Sequence, residues 1–177
     1  MIPVSEKDFE YDFYIIHSRT DATEWVQRNL LPTLEMDHGL KCCVDRKDFL
    51  PGRTFADNIE NFILKSRKTI AVLSNGFLKS DVSVHELQLA VSVSRQREDE
   101  SVIIIKIDNV EMNLLPEAFN EKNVIDLTTS EKTLEEELFP FLEVRAKQGV
   151  KQGGYVYFCV CEWTRVPPPL QRFSLFS

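Results

Sequence analysis

With 177 residues, 43% of them hydrophobic and 28% charged, the chain has the make-up of an ordinary soluble globular protein, long enough to bury a sizeable core in one domain. The net charge of −7 is unevenly spread: residues 146–177 carry Lys147, Lys151, Arg165 and Arg172 against Glu162, a surplus of +3, so residues 1–145 hold −10. An acidic body of that kind argues against nucleic-acid binding as the main function and suits a solvated cytoplasmic protein.

Met1-Ile2-Pro3-Val4-Ser5-Glu6-Lys7 lacks the basic-then-apolar layout of a secretory signal. No apolar run approaches the roughly 20 residues that a membrane span requires. Four cysteines form two tight pairs, Cys42-Cys43 and Cys159-x-Cys161, whose spacing matches none of the usual zinc patterns. Neighbours on a strand point to opposite faces, so buried, reduced thiols in a reducing compartment are the expectation.

In chain order, residues 1–8 read as a leader, and the aromatic and β-branched run Phe9 to His17 reads as a strand. Asp21 with Glu24 three residues later predicts a helix start, and Trp25, Val26, Leu30 and Leu34 mark its inner face. Pro32 is expected to kink or end that helix. Gly39 closes the connection, and Leu40 to Val44 is a second strand. There follows the loop Asp45-Arg46-Lys47-Asp48-Phe49-Leu50-Pro51-Gly52-Arg53, in which charges flank an apolar knuckle, Phe49-Leu50, closed by Pro-Gly. Pro51 fixes its own φ and pushes Leu50 toward extended geometry, while Gly52 can take φ > 0. Such a stiff, charged loop suits recognition, although a plain turn with Phe49 folded onto the core reads equally well from loop chemistry alone.

Thr54 and Asp57 predict the next helix start, with Phe55, Ile59, Phe62 and Ile63 as its apolar stripe. Thr69 to Leu73 is a continuous apolar strand of the kind buried on both faces. After the turn Ser74-Asn75-Gly76, the pair Ser83-x-x-Glu86 predicts a helix start, with Leu87, Ala90, Val91 and Ser94 facing inward. Ser101 to Ile107 is the strongest strand, Val124 to Leu127 is a short fifth, and residues 108–123 between them read as loop with one short helical turn. A last helix near Ser130 to Arg145 is expected to bury Leu134, Leu138, Phe141 and Leu142, with Pro140 breaking it.

Five strands alternating with helices predict an α/β fold: a doubly wound, flavodoxin-like parallel sheet of order 2-1-3-4-5 with helices on both faces. Ligands of such sheets gather beyond the carboxyl ends of the strands, which here carry Ser18 and Arg19, the loop 45–53, Ser74 and Asn75, and Asp108. The six glycines make neither a G-x-G-x-x-G nor a Walker phosphate cradle, and no G-x-S-x-G elbow is present. A phosphate-receiving domain wants an aspartate after the third strand, where Ser74 stands. His17, His38 and His85 are scattered rather than grouped as ligands.

Three stretches carry a family resemblance. Tyr11-Asp12-Phe13-Tyr14-Ile15-Ile16-His17-Ser18 resembles the first box of the Toll/interleukin-1 receptor (TIR) domain family. Arg46-Lys47-Asp48-Phe49-Leu50-Pro51-Gly52 resembles its second box, and Ser80 to Leu87 its third-helix start. The resemblance covers residues 9–145 and implies a five-stranded parallel sheet, with residues 146–177 as a tail outside it. Phe139-Pro140-Phe141 stands where the family's third box has Phe-Trp, and Val82 and Ser83 stand where many members carry tryptophan and cysteine. In the tail, Gly153-Gly154 leads into the aromatic run Tyr155 to Trp163 and then Pro167-Pro168-Pro169, which either adds a strand or lies exposed.

What the resemblance implies for function is a signalling module acting by homotypic association with receptor or adaptor TIR domains, those of Toll-like or interleukin-1 receptors included. Arg46, Lys47, Asp48, Phe49, Leu50, Pro51, Gly52 and Arg53 would be the partner-binding residues. Glu131, Glu135, Glu136, Glu137 and Glu143 offer an acidic surface to a basic loop on the next copy, a heterologous contact that can propagate as a filament; a solvated helix face explains them as well. The association needs no cofactor, metal, nucleic acid or membrane span. Some family members instead cleave NAD+ with a glutamate early in the third helix, the position of Glu86, and Ser18, Arg19 and Ser74 would then hold the dinucleotide. A third implication is an inhibitory member that occupies partners without passing a signal. Glu86 has a structural explanation too, as the second half of a capping box with Ser83.

Overall fold

A computed structural model describes residues 9–44, 51–115 and 123–142. The chain divides into two units, Met1–Phe139 and Pro140–Ser177, and in the second the description covers only residues 140–142. The leader 1–8, loop positions 45–50, Glu143 and the tail 146–177 lie outside the described residues.

The strands β1 (Tyr11–His17), β2 (Cys42–Cys43), β3 (Ser66–Leu73), β4 (Val102–Lys106) and β5 (Val124–Asp126) form one sheet in the order β2-β1-β3-β4-β5. All pairs are parallel: Phe13 lies opposite Cys42 and Lys68, Thr69 opposite Val102, and Ile104 opposite Val124. Every β1 residue except His17 is buried, as is all of β4, as expected of central strands covered on both faces. The second strand is shorter than residues 40–44. Asp12 explains how so short an edge is held: its N–H donates to Lys41 O at 2.8 Å, and its Oδ2 accepts from Lys41 N–H at 2.8 Å.

Among the described residues the helices are α1 (residues 23–37), α2 (Phe55–Leu64), α3 (Asp81–Arg97) and α4 (Leu134–Leu142), with a 3-10 turn at Met112–Leu114. Helix α1 starts as an α-helix, Thr23–Trp25, and widens into π-helical Val26–Leu30 and Pro32–Asp37. Pro32 therefore does not end it. A five-residue hydrogen-bond step moves the carbonyl that a proline ring would strike in an α-helix. Asn29 Nδ2 donates to Trp25 O at 3.1 Å and Thr33 Oγ1 to Asn29 O at 2.9 Å, so side chains serve carbonyls along the rewound backbone. Val26, Leu30 and Leu34 are fully buried beneath it.

Two predicted helix starts are corrected. The α1 N-cap is Ala22, with no side-chain cap, because the Asp21 carboxylate is spent elsewhere, on Ser74 and Gly76. Helix α3 begins at Asp81, one turn before Glu86, and its cap is Ser80, whose Oγ accepts from Ser83 N–H at 3.2 Å. Ser83 is buried inside the first turn and donates its hydroxyl to His17 O at 3.2 Å, tying α3 to the end of β1. The Thr54 start is as predicted, with Oγ1 accepting from Asp57 N–H at 3.1 Å, although Phe55 is 38% exposed rather than part of the buried stripe. Arg97 closes the other end of α2, donating to the carbonyls of Ile63, Leu64 and Ser66 at 3.2, 2.7 and 3.1 Å with its guanidinium over the Phe9 ring. Helix α4 spans Leu134–Leu142, with Pro140 inside it rather than ending it. Its start is a reciprocal capping box: Thr133 N–H donates to Glu136 Oε2 at 2.8 Å, and Glu136 N–H to Thr133 Oγ1 at 3.3 Å.

Three aspartates tie the loops at the carboxyl edge of the sheet. Asp21, after β1, accepts from Ser74 Oγ at 2.7 Å and Gly76 N–H at 2.6 Å. Asp108, after β4, accepts from Asn75 N–H at 2.9 Å, and Asp126, ending β5, accepts from Lys106 Nζ at 2.9 Å. Gly76 is required by space, since a Cβ there would lie 2.7 Å from Asp21 Oδ1. Burial pushes the Asp21 carboxyl up, but hydrogen bonds from Ser74, Ser18 and Gly76 outweigh it and hold the group below the usual range. Asp126 is lowered by the Thr128 hydroxyl and then by Lys106.

Two outcomes follow for stability. Asp21→Ala removes the acceptor of a buried hydroxyl and is expected to cost about 2 kcal/mol in urea unfolding. Gly76→Ala displaces the same carboxylate, so the double variant should be no less stable than the worse single, and full additivity would refute a shared tie. The second outcome concerns acid. Because the folded-state values of Asp21 and Asp126 are depressed, their contribution is complete above the ordinary carboxylate range and is lost as pH falls through the folded values. Stability measured between pH 6 and pH 3 should drop below about pH 4, with a shallower drop in Asp21→Asn.

Candidate functional site

Two features lie at the carboxyl edge of β1 and β2. The first is a narrow cleft lined by Tyr14, Ile15 and His17 from β1, Arg19 just beyond it, Val44 after β2, and Glu86 from α3, with a free volume of about 10 Å3, room for about one water. The start of α3 at Ser80, fastened to β1 through Ser83, places Glu86 in its second turn facing the sheet. Glu86 is 6% exposed, and the Tyr14 hydroxyl donates to its Oε1 at 3.5 Å, long for an O–H···O bond. The His17 ring has its Nε2 3.2 Å from Thr23 Oγ1. A carboxylate set in such a cleft can accept from sugar hydroxyls or steady positive charge developing on a ribose carbon.

Of the residues expected to hold a dinucleotide, Arg19 is exposed and lines the cleft. Ser18 and Ser74 do not line it. Both are fully buried: Ser18 Oγ pairs with Thr20 Oγ1 at 2.8 Å and Ser74 donates to Asp21. Tyr14 and Val44 belong to the cleft without having been singled out from sequence. A strand buried on both faces shows no polar alternation, so nothing in its pattern tells which side chains turn toward a site.

The second feature is the corner that leads out of the loop into α2. Pro51, Gly52 and Arg53 are all exposed, and Gly52 has φ +85°, the left-handed region that glycine enters without strain. A Cβ at Gly52 would meet nothing within 4 Å, so the demand is on the backbone and not on space. Thr54 then caps α2 and fixes the direction in which the corner leaves. Arg46, Lys47, Asp48, Phe49 and Leu50 lie outside the described residues.

Metal chemistry finds no foothold among the described residues, where no group of three His, Cys, Asp or Glu side chains could hold an ion. Burial, with Glu35 and Asp12 adding to it, pushes the Cys42 thiol far up and keeps it protonated. No helix among the described residues is long and apolar enough to cross a membrane.

Residues 10–132 match the family model of the TIR domain. Toll-like receptor 2 of Canis lupus familiaris is 34% identical over 114 residues, which is 64% of this chain and 14% of the receptor. Toll-like receptor 6 of Mus musculus is 31% identical over 122 residues, 68% of this chain and 15% of the receptor. The chain thus spans a small part of the length of these relatives. Among solved structures, the TIR domain of the Toll-related receptor TRR-2 from Hydra magnipapillata superposes with a TM-score of 0.55 at 28% identity, covering 75% of this chain and 91% of that one. A metazoan TIR-STING receptor from C. gigas gives 0.56 at 27% identity, covering 71% and 40%. The first-box strand, the five-stranded parallel order and these matches agree: the chain belongs to the TIR domain family and has its flavodoxin-like fold.

Proposed function

We propose that the chain is a cytoplasmic innate-immune signalling module that works by binding other TIR domains, through the loop that ends at Pro51-Gly52-Arg53. The observation that carries this reading is the exposed Pro51-Gly52-Arg53 corner on a family member, rigid by composition and fixed in direction by the Thr54 cap. Pro51, whose φ is fixed by its ring, has little freedom to lose on docking. Phe49 and Leu50 would supply the buried apolar area, and Arg46, Lys47 and Arg53 would set orientation. Charge pairing with the acidic start of α4 is the weaker part of the picture. Glu136 caps its own helix and Glu137 accepts from Ser130 Oγ at 2.5 Å, so both are bonded within their own domain. Apolar burial by the loop tip is therefore the main driving force.

The cleft supports a second reading, hydrolysis of NAD+ to nicotinamide and ADP-ribose. It is favoured by one observation, the buried Glu86 carboxylate on the same cleft wall as Tyr14, His17 and Arg19. In that reaction the ribose–nicotinamide bond breaks, water supplies the new hydroxyl, and Glu86 stabilises the cation-like ribose in between.

The two readings separate experimentally. Pro51→His is expected to lower co-precipitation with receptor or adaptor TIR domains by about tenfold or more while the circular dichroism spectrum stays unchanged. Binding equal to wild type would remove the loop as the interface. For hydrolysis, purified protein incubated with NAD+ should release nicotinamide, and Glu86→Gln should stop it. Absence of nicotinamide from the wild type ends the hydrolytic reading and leaves the association reading standing.

A further inference from the structure

We infer that Tyr14 and Glu86 together hold the water molecule that attacks the ribose, which makes Tyr14 a positioning residue; this inference rests on the hydrolytic reading of the cleft. The smallest space that holds a water is about 10–15 Å3, and such a water needs about two to four polar partners. The cleft, with about 10 Å3, sits at that lower limit, and Tyr14, His17, Arg19 and Glu86 supply polar groups to its lining. Tyr14 and Glu86, 4% and 6% exposed, are the buried polar members, and Arg19 is an exposed one. His17 has a partner outside the lining, since its Nε2 lies 3.2 Å from Thr23 Oγ1. The space takes a water and is too small for a ribose ring or an alcohol.

The spacing of the buried pair suits a shared guest. Tyr14 Oη lies 3.5 Å from Glu86 Oε1, beyond the usual O–H···O distance of about 2.7–2.8 Å. A water beside the pair donates to the carboxylate and accepts from the phenol, giving each a shorter bond than they give one another. Both groups stand on fixed elements. Tyr14 is paired with Cys43 on one side and Thr69 on the other, and Glu86 rides on α3, which Ser83 fastens to β1. In the reaction, nicotinamide leaves with the electron pair of its bond to the ribose carbon. The water oxygen gives a lone pair to that carbon, and the proton it sheds passes to the Glu86 carboxylate and on to solvent. NAD+ and water thus yield nicotinamide, ADP-ribose and one proton, with no oxidant or reductant.

Two measurements on the full chain test this. In a high-resolution crystal structure of the wild type, an ordered water should lie within about 3.2 Å of both the Tyr14 hydroxyl and the Glu86 carboxylate, and it should be lost in Tyr14→Phe. No water at that place in the wild type overturns the proposal, whatever the activity and whether or not the variant folds. The second measurement adds methanol to the NAD+ assay and reads the ratio of the methyl glycoside of ADP-ribose to ADP-ribose itself. Tyr14→Phe should raise that ratio about fivefold, as expected for the loss of one hydrogen bond to the water. Nicotinamide release with an unmoved ratio removes the role of Tyr14 and leaves the hydrolytic reading standing. No nicotinamide from the wild type ends the hydrolytic reading, and the attacking role of the water falls with it.

Discussion

A parallel sheet delivers every strand end to the same edge, and each end then needs a loop whose backbone polar groups must be satisfied without help from a hairpin partner. In this domain the Asp21 carboxylate meets that need at the centre of the edge. By accepting from Ser74 and Gly76 it joins the loop after β1 to the turn after β3. Asp108 takes the remaining donor of that turn, Asn75 N–H, and brings in the end of β4. Asp126 and Lys106 continue the series to β5. The turn that Asp21 pins also delivers Ser80 as the cap of α3, and α3 in turn carries Glu86. The position of the cleft carboxylate is thus inherited from a hydrogen bond made sixty-five residues earlier in the chain, at Asp21.

Glu86 shows how one geometry can serve two purposes. Its burial and its contact with Tyr14 make it a strut between α3 and β1, which is reason enough for a glutamate to be there. The same placement leaves it on the wall of a cleft with an arginine beside it, and that is reason enough to consider chemistry. Pro51, Gly52 and Arg53 are exposed where the loop enters α2.

Strand order, strand identity and the Thr54 start were legible in the sequence, because they depend on local chemistry and on the two-sided burial that makes β3 and β4 unbroken apolar runs. The loop corner was legible for the same reason: Pro-Gly states its own backbone demands. What could not be read was anything settled by a distant competitor. Asp21 followed by Glu24 has the form of a helix start, but Ser74 and Gly76, more than fifty residues away, claim the carboxylate first. Ser83 followed by Glu86 has the form of a capping box, but Ser80 arrives one turn earlier in extended geometry and Ser83 turns to the His17 carbonyl. The box that does form, Thr133 with Glu136, has the same spacing and sits among other glutamates that carry no such signal. At Pro32 the helix changes its hydrogen-bond step instead of ending, a choice that the proline itself does not announce.

The row of aspartates also decides what kind of visitor the sheet edge welcomes. Asp21 keeps its negative charge well into acid, and Asp108 lies one loop away on the same turn. Exposed charges are felt over roughly 8 Å at physiological salt, so the two carboxylates disfavour a phosphate at the turn after β3. A neutral sugar or a cationic ring encounters no such barrier.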